Sequence, residues 1–172
     1  CLLEAGGSDQ SVIVQAPVGA VAMMPTKLNN YAYETVPQPG LNGRKGYQPR
    51  GKVLGGSGSI NAMLYVRGNR WDYDEWKRLG NKGWGYDDCL PYFRKAENNE
   101  QFDNEWHGQG GPLNVTYPNH QSPLAELFIE AAEQRQIRRN PDYNGEEQAG
   151  TFHYQATQKD GERCSAAKGY LT

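Results

Sequence analysis

Gly51-Lys52-Val53-Leu54-Gly55-Gly56-Ser57-Gly58-Ser59-Ile60-Asn61 is the stretch on which the reading of this chain turns. Its four glycines and two serines leave almost no side-chain bulk, so consecutive backbone N–H groups can converge on one concavity. A helix over residues 59–66, with Ser57 or Ser59 as its N-cap, would add its positive end to the same spot. That combination suits a pyrophosphate, and a phosphate-bearing cofactor is its natural occupant. A flexible Gly/Ser linker is the other reading of such a run. The flanks argue against a linker: Val53 and Leu54 before the glycines, and Ile60, Met63 and Leu64 after them, are apolar positions that ask to be packed.

Outward from the loop, hydrophobic periodicity and cap residues predict short alternating elements. Residues 1–4 read as a buried strand ended by Ala5-Gly6-Gly7, and residues 18–24 as helical turns after Pro17. Residues 31–36 alternate as an edge strand that residues 44–49 can pair with. Asn69 caps a helix carrying Trp71, Tyr73, Trp76 and Leu79 and ending at Gly80. A second helix covers residues 86–96, with Asp87 or Asp88 near its positive end and Pro91 admissible only in the first turn. Residues 113–116 form a strand after Gly110-Gly111-Pro112. Ser122-Pro123 opens a helix to about residue 135 with Leu124, Leu127, Phe128, Ala131 and Ala132 on one face. Residues 151–157 alternate Phe152, Tyr154 and Ala156, and residues 166–171 begin a last helix. The order is that of an α/β protein.

Composition narrows the class. At 172 residues the chain can bury a core, yet 37% hydrophobic residues, 21 glycines, 10 prolines and a mean hydropathy of −0.86 describe a loop-rich one. Net charge is −2 with Lys and Arg scattered among acids, which argues against a nucleic-acid footprint. No apolar run approaches the ~20 residues of a membrane helix, and the first residues lack the pattern of a signal peptide. A cytoplasmic protein, or one peripheral to the inner membrane, is expected. Cys1, Cys89 and Cys164 are odd in number and widely spaced, which suits free thiols and forms no zinc pattern.

Several candidate chemistries fail on spacing. His107, His120 and His153 have no Cys, Asp or Glu at metal-ligand spacing, so no metal site is expected and all three are assigned to turns or surface. Trp71, Tyr73, Trp76, Trp84 and Tyr86 could offer stacking faces to bases, but their helical spacing and the lack of interleaved basic clusters make packing the better account. Ser8, Ser57 and Ser165 stand in no G-x-S-x-G context, so hydrolytic catalysis has no footing.

From Gly51 to Asp74 the chain reads GKVLGGSGSINAMLYVRGNRWDYD, which resembles the first signature of the glucose-methanol-choline (GMC) flavin-dependent oxidoreductases. Cys1-Leu2-Leu3-Glu4-Ala5-Gly6-Gly7 is similar to the end of that family's second Rossmann strand. Leu41-Asn42-Gly43-Arg44 and Gln48-Pro49-Arg50 resemble the lead-in to the flavin loop in bacterial alcohol and choline dehydrogenases. His107-Gly108, Gly110-Gly111-Pro112-Leu113, Asp142-Tyr143-Asn144-Gly145 and the stretch from Gln158 to Ala167 follow in family order, so the likeness runs nearly end to end.

The resemblance implies a partial Rossmann-type FAD-binding domain at residues 1–70. It implies the start of an α+β substrate-binding domain at residues 71–157 and a return segment at 158–172. Glu4 would meet the adenosine ribose, and Gly51, Lys52, Val53, Gly55, Gly56 and Ser57 would form the phosphate loop. Asn61, Ala62, Met63 and Leu64 would run beside the flavin. Ile60 stands where some relatives carry a histidine that bonds covalently to the flavin, so FAD here should be non-covalent. The implied reaction oxidises a small primary alcohol, aliphatic or choline, with a quinone or oxygen as electron acceptor. No catalytic residue is expected within the chain, because the family's histidine would lie beyond Thr172. With only three residues before Glu4, no G-x-G-x-x-G can precede it, so the chain is expected to be an interior slice of a longer protein and inactive by itself.

Overall fold

The computed structural model describes residues 1–171. In chain order its elements are α1 (Val12–Gln15), α2 (Gly19–Met23), β1 (Tyr33–Glu34), β2 (Tyr47–Gln48), α3 (Arg70–Arg78), α4 (Tyr86–Ala96), β3 (Glu97–Asn99), β4 (Leu113–Val115), α5 (Pro123–Gln134), β5 (Gln158–Lys159), β6 (Glu162–Arg163) and α6 (Ala166–Tyr170). Helices and short strands alternate with long connections, which is the expected loop-rich α/β class. Two compact units divide the chain: one contains Cys1–Met63 with the segment from Gln158 onward, the other Leu64–Thr157.

The first unit is organised around Val14, Met23, Val53 and Ile60, all buried, with Ile13 against them. Val53 enters this core as the parallel bridge partner of Gly7. β1 and β2 pair antiparallel, Tyr33 opposite Gln48 and Glu34 opposite Tyr47, as the alternation predicts but over fewer residues. Buried Asn30 ties α2 to this region: its Nδ2 lies within donating distance of the carbonyls of Met23 and Met24 at the helix end and of Thr26 just beyond it. β5 and β6 form a hairpin whose turn residues Asp160 and Gly161 both have positive φ, a sequence pair suited to such turns.

Two expectations for this unit fail. Residues 1–4 form no strand, because no ladder partner lies beside them among the described residues, and Leu2 and Leu3 are exposed. The helix expected over residues 59–66 is absent as well. Gly56–Ser59 is a single 3-10 turn, and Asn61 Oδ1 then accepts from Met63 N at 3.0 Å. This local bond competes with helix, Met63 takes φ +63°, and Leu64 continues in an extended bridge to Ala156.

In the second unit, Asn69 caps α3 as predicted. Its Oδ1 accepts from Trp71 N at 2.9 Å while Asp72 Oδ2 accepts from Asn69 N at 3.1 Å. α4 opens with Asp88 Oδ2 accepting from Gly85 N at 3.1 Å. Pro91 lies in its interior rather than its first turn, at an exposed position. α4 runs directly into β3, which pairs in parallel with β4. Tyr73 packs its ring against Trp76, Tyr86 and Phe93 at centroid distances of 5.3, 5.9 and 5.6 Å, so these aromatics do pack. α5 starts at Ser122 as expected, but of the expected apolar face only Ala132 is buried, together with Ile129 beside it, while Leu124 is 73% and Phe128 68% exposed.

Candidate functional site

The loop of the first unit is shaped by a tight turn. Val53 O accepts from Gly56 N at 2.8 Å, and the two residues that complete the turn, Gly55 and Gly56, have φ of +86° and +59°. A Cβ on Gly55 would stand 2.5 Å from Ser59 Oγ and 3.0 Å from Ala167 Cβ, whereas one on Gly56 would enter open space. Ser59 Oγ donates to Leu54 O at 2.7 Å, and Ser57 Oγ accepts from Gly51 N at 3.1 Å, so both hydroxyls brace the loop. The backbone amides of Gly55 and Ser57 have no hydrogen-bond partner among the described residues. The braced turn thus carries two N–H groups free to donate, a property it shares with anion-binding nests.

Beside that turn is an open concavity of about 330 Å³, lined by Glu4, Leu54, Gly55, Gly56, Ala167 and Tyr170 among others. Glu4 Oε1 accepts from Gly6 N at 2.6 Å, which leaves the other carboxylate oxygen for a ligand. An acid that can accept from hydroxyls and a turn that can donate to an anion therefore share one cleft. That donor set fits a dinucleotide: sugar hydroxyls to Glu4, phosphate to the loop.

The remaining predicted residues divide. Gly51 bridges to Asn30, and Lys52 donates its backbone N–H to Asn29 O at 2.8 Å and holds its ammonium 5.4 Å from the centroid of the Tyr31 ring. Val53 and Met63 are buried, while Asn61 and Ala62 are exposed at the end of the loop. Leu64 belongs to the second unit, bridged to Ala156, and does not line the concavity. The helix dipole expected at the loop is missing with its helix.

Sequence reasoning missed Arg163. It is 1% exposed, and its Nε donates to Val14 O at 3.0 Å while Nη1 donates to Gly58 O at 3.2 Å and to Asn61 Oδ1 at 3.0 Å. Burial lowers its pKa from the ordinary guanidinium value. Nothing in the spacing of Gly58, Asn61 and Arg163 signals this contact, since the hairpin of β5 and β6 creates it.

His107, assigned to a turn or the surface, closes the turn that begins at Asn104, with its backbone N 3.3 Å from Asn104 O, but it is not at the surface. Its ring is buried, with Nδ1 3.0 Å from Glu97 Oε1 and Nε2 3.0 Å from Asp142 Oδ1. Glu97 Oε2 meets Arg67 Nη2 at 2.6 Å in a buried ion pair. With a carboxylate facing each ring nitrogen, the site favours the imidazolium, in which both nitrogens donate, and Asn99 Nδ2 also lies 3.0 Å from Nδ1. Burial by itself would lower its pKa, but the bonds to Asp142 and Glu97 prevail and raise it. A ring with no free nitrogen cannot serve as a base, and the group is structural. His153 pairs with Glu126 at 3.1 Å, and His120 is exposed. Among the described residues Cys1, Cys89 and Cys164 form no disulfide. Among the described residues no cluster of metal-ligating side chains occurs, and no helix is long and apolar enough to cross a membrane.

Comparison with known proteins extends over the whole chain. An alcohol dehydrogenase [acceptor] from Pseudomonas putida is 42% identical over 172 residues, covering 99% of this chain and 31% of that protein. An oxygen-dependent choline dehydrogenase from Vibrio vulnificus is 44% identical over 173 residues, with the same coverages. Among solved structures, pyridoxine 4-oxidase from Mesorbium loti superposes with a TM-score of 0.90 at 33% identity, over 98% of this chain and 33% of that one. An FAD-dependent oxidoreductase from Chaetomium thermophilum gives 0.86 at 30% identity, over 98% of this chain and 31% of that one. The chain thus spans about a third of the length of these proteins. The profile described as GMC oxidoreductase matches residues 1–172, and the chain belongs to the GMC oxidoreductase family.

Proposed function

We propose that this chain carries the FAD-binding part of an enzyme that oxidises a small primary alcohol, aliphatic or choline, to the aldehyde. The observation that supports it most is the concavity in which Glu4 and the glycine turn, with the unpaired Gly55 amide, share one cleft. Glu4 accepts from the ribose hydroxyls, and the loop formed by Gly51, Lys52, Val53, Gly55, Gly56 and Ser57 takes the pyrophosphate. When bound, FAD supplies the hydride acceptor for the alcohol carbon at its flavin N5. Asn61, Ala62 and Met63 offer backbone and amide groups alongside the flavin. Ile60 is buried with Val14, Met23 and Val53 and has no nucleophile, so the cofactor is held without a covalent bond.

The first unit is assigned to FAD and the second to the beginning of the substrate-binding domain. No residue of this chain is assigned to the hydroxyl proton; the base is placed beyond Thr172. Electrons leave to a quinone or to oxygen; the choline dehydrogenase relative is named for oxygen, the alcohol dehydrogenase relative only for an acceptor. The proposal includes a cytoplasmic enzyme, peripheral to the inner membrane where the acceptor is a quinone.

The test uses the full-length protein and Gly56→Ala, since a Cβ there enters open space and the variant meets only the backbone strain of an alanine at φ +59°, about 1 kcal/mol. Wild type should hold one FAD per chain, release it unmodified on denaturation, and bleach anaerobically with an alcohol or choline. Gly56→Ala should fold yet bind FAD at least about tenfold more weakly, equivalent to about 1.4 kcal/mol. Full FAD occupancy in that variant removes the loop from the site. A flavin that no alcohol bleaches points to non-redox chemistry such as a lyase.

A further inference from the structure

Arg163 stands out in the first unit because its charge has no counter-charge. The side chain is 1% exposed, Nη2 has no hydrogen-bond partner, and no carboxylate of the described residues comes within 4 Å of the guanidinium. Asp9, the buried acid of the same unit, forms no ion pair with it and leaves its own Oδ2 without a partner. Glu162, its neighbour in sequence, is held by Lys168. What surrounds Arg163 instead are neutral oxygens: Val14 O at the end of α1, Gly58 O in the loop, and Asn61 Oδ1 at the loop's end. A buried cation is costly unless an anion accompanies it.

The bonds also orient the loop. Gly58 O is drawn towards the guanidinium inside the unit, while the amides of Gly55 and Ser57 remain unpaired. The buried Nη2 has no solvent access, so Arg163 acts through the loop rather than by touching a ligand. The helix that could have given this loop a positive end does not form, which leaves Arg163 as the cation bonded directly to it.

We propose that Arg163 is a positioning residue that turns the Gly55–Gly58 loop into an anion receptor, fixing the Gly58 carbonyl inward and supplying from behind the positive charge that a bound pyrophosphate neutralises. The inference rests on the reading of the Glu4 and Gly55 concavity as the FAD site. It predicts selectivity by ligand charge: FAD carries the pyrophosphate, whereas riboflavin carries the same ring system without phosphate.

The test measures FAD and riboflavin dissociation constants for the full-length apoprotein, by flavin fluorescence quenching, in wild type, Arg163→Gln and Arg163→Lys. Arg163→Gln should weaken FAD by at least about tenfold and leave riboflavin nearly unchanged. Arg163→Lys should bind FAD almost as wild type near pH 6. Its affinity should then fall as the pH rises, because a buried ammonium without a counter-ion loses its proton more readily than a guanidinium, while wild type stays flat. FAD binding by Arg163→Gln at the wild-type level overturns the proposal. So does an equal loss of FAD and riboflavin in either variant, the signature of a merely structural role. Should Arg163→Gln not fold, the lysine variant decides alone: a pH-dependent loss of FAD but not riboflavin supports the proposal, and its absence overturns it. A wild-type apoprotein that binds no FAD refutes the underlying site, a result separate from FAD binding that ignores residue 163.

Discussion

Replacing His107 by glutamine removes the cation between Glu97 and Asp142 while keeping a polar side chain of moderate size. In wild type the buried ring donates to both carboxylates at 3.0 Å, and Glu97 in turn accepts from Arg67 at 2.6 Å. The variant leaves two acids facing one neutral amide and one guanidinium. Breaking a buried pair by removing one partner costs about 3–5 kcal/mol, a large part of the ~5–15 kcal/mol that holds a domain folded. The pH dependence follows with a definite sign. His107 is raised above its ordinary value, so its stabilisation is complete below about pH 6.5 and is lost as the pH rises through the higher folded value. Glu97 is lowered: burial opposes this, but bonds from His107 and Asn99 and the Arg67 charge prevail, so its contribution is present above about pH 4.5 and lost as pH falls through the lower folded value. Stability should therefore form a plateau with an acid limb and an alkaline limb. Urea unfolding followed by tryptophan fluorescence reads it directly, since Trp71, Trp76, Trp84 and Trp106 all lie in the unit that contains His107. His107→Gln should lower stability by about 3 kcal/mol or more at neutral pH and erase the alkaline limb. A loss below about 1 kcal/mol, or an alkaline limb that persists in the variant, would refute the imidazolium.

Two further substitutions probe the same unit. Asn69→Ala removes the side-chain acceptor that caps α3 and should cost about 1 kcal/mol, read as a shift in the urea midpoint with unchanged slope. Phe128→Ser should change the stability of this chain by no more than about 0.5 kcal/mol, because the ring is largely exposed; a loss of several kcal/mol would show that α5 is packed on the face expected from its sequence.

Legibility in the sequence followed the range of the physics involved. Caps and periodicity are local, so α3 with Asn69, α5 with Ser122 and the short pairing of β1 with β2 were all readable. The glycine turn was readable for the same reason, because bulk and backbone freedom belong to the residues themselves. The helix after Ser59 was misread because the amide oxygen of Asn61 takes Met63 N, a side-chain bond that hydrophobic periodicity does not encode. Amphipathic spacing named the apolar side of α5 but not whether that side is covered. His107 and Arg163 were out of reach: their partners lie 10, 35, 102 and 105 positions away, distances at which only the folded chain brings side chains together.

The antiparallel bridge between Leu64 and Ala156 has a consequence for how the chain assembles. The unit that contains it is an insertion: the chain leaves the first unit at Met63 and re-enters it at Gln158. Bringing those two points together from an unfolded chain of roughly ninety intervening residues would cost about 4 kcal/mol of closure entropy. The bridge, with Tyr65 N donating to Gln155 O at 2.9 Å, sets exit and entry strands side by side as soon as the inserted unit folds. Arg163 and α6 then arrive at the glycine turn as near neighbours along the path rather than distant ones. Vectorial synthesis imposes the same order, because the loop is made long before the segment that completes it. The unit that holds the glycine turn should therefore mature last, waiting on a cassette that has no part in its own core.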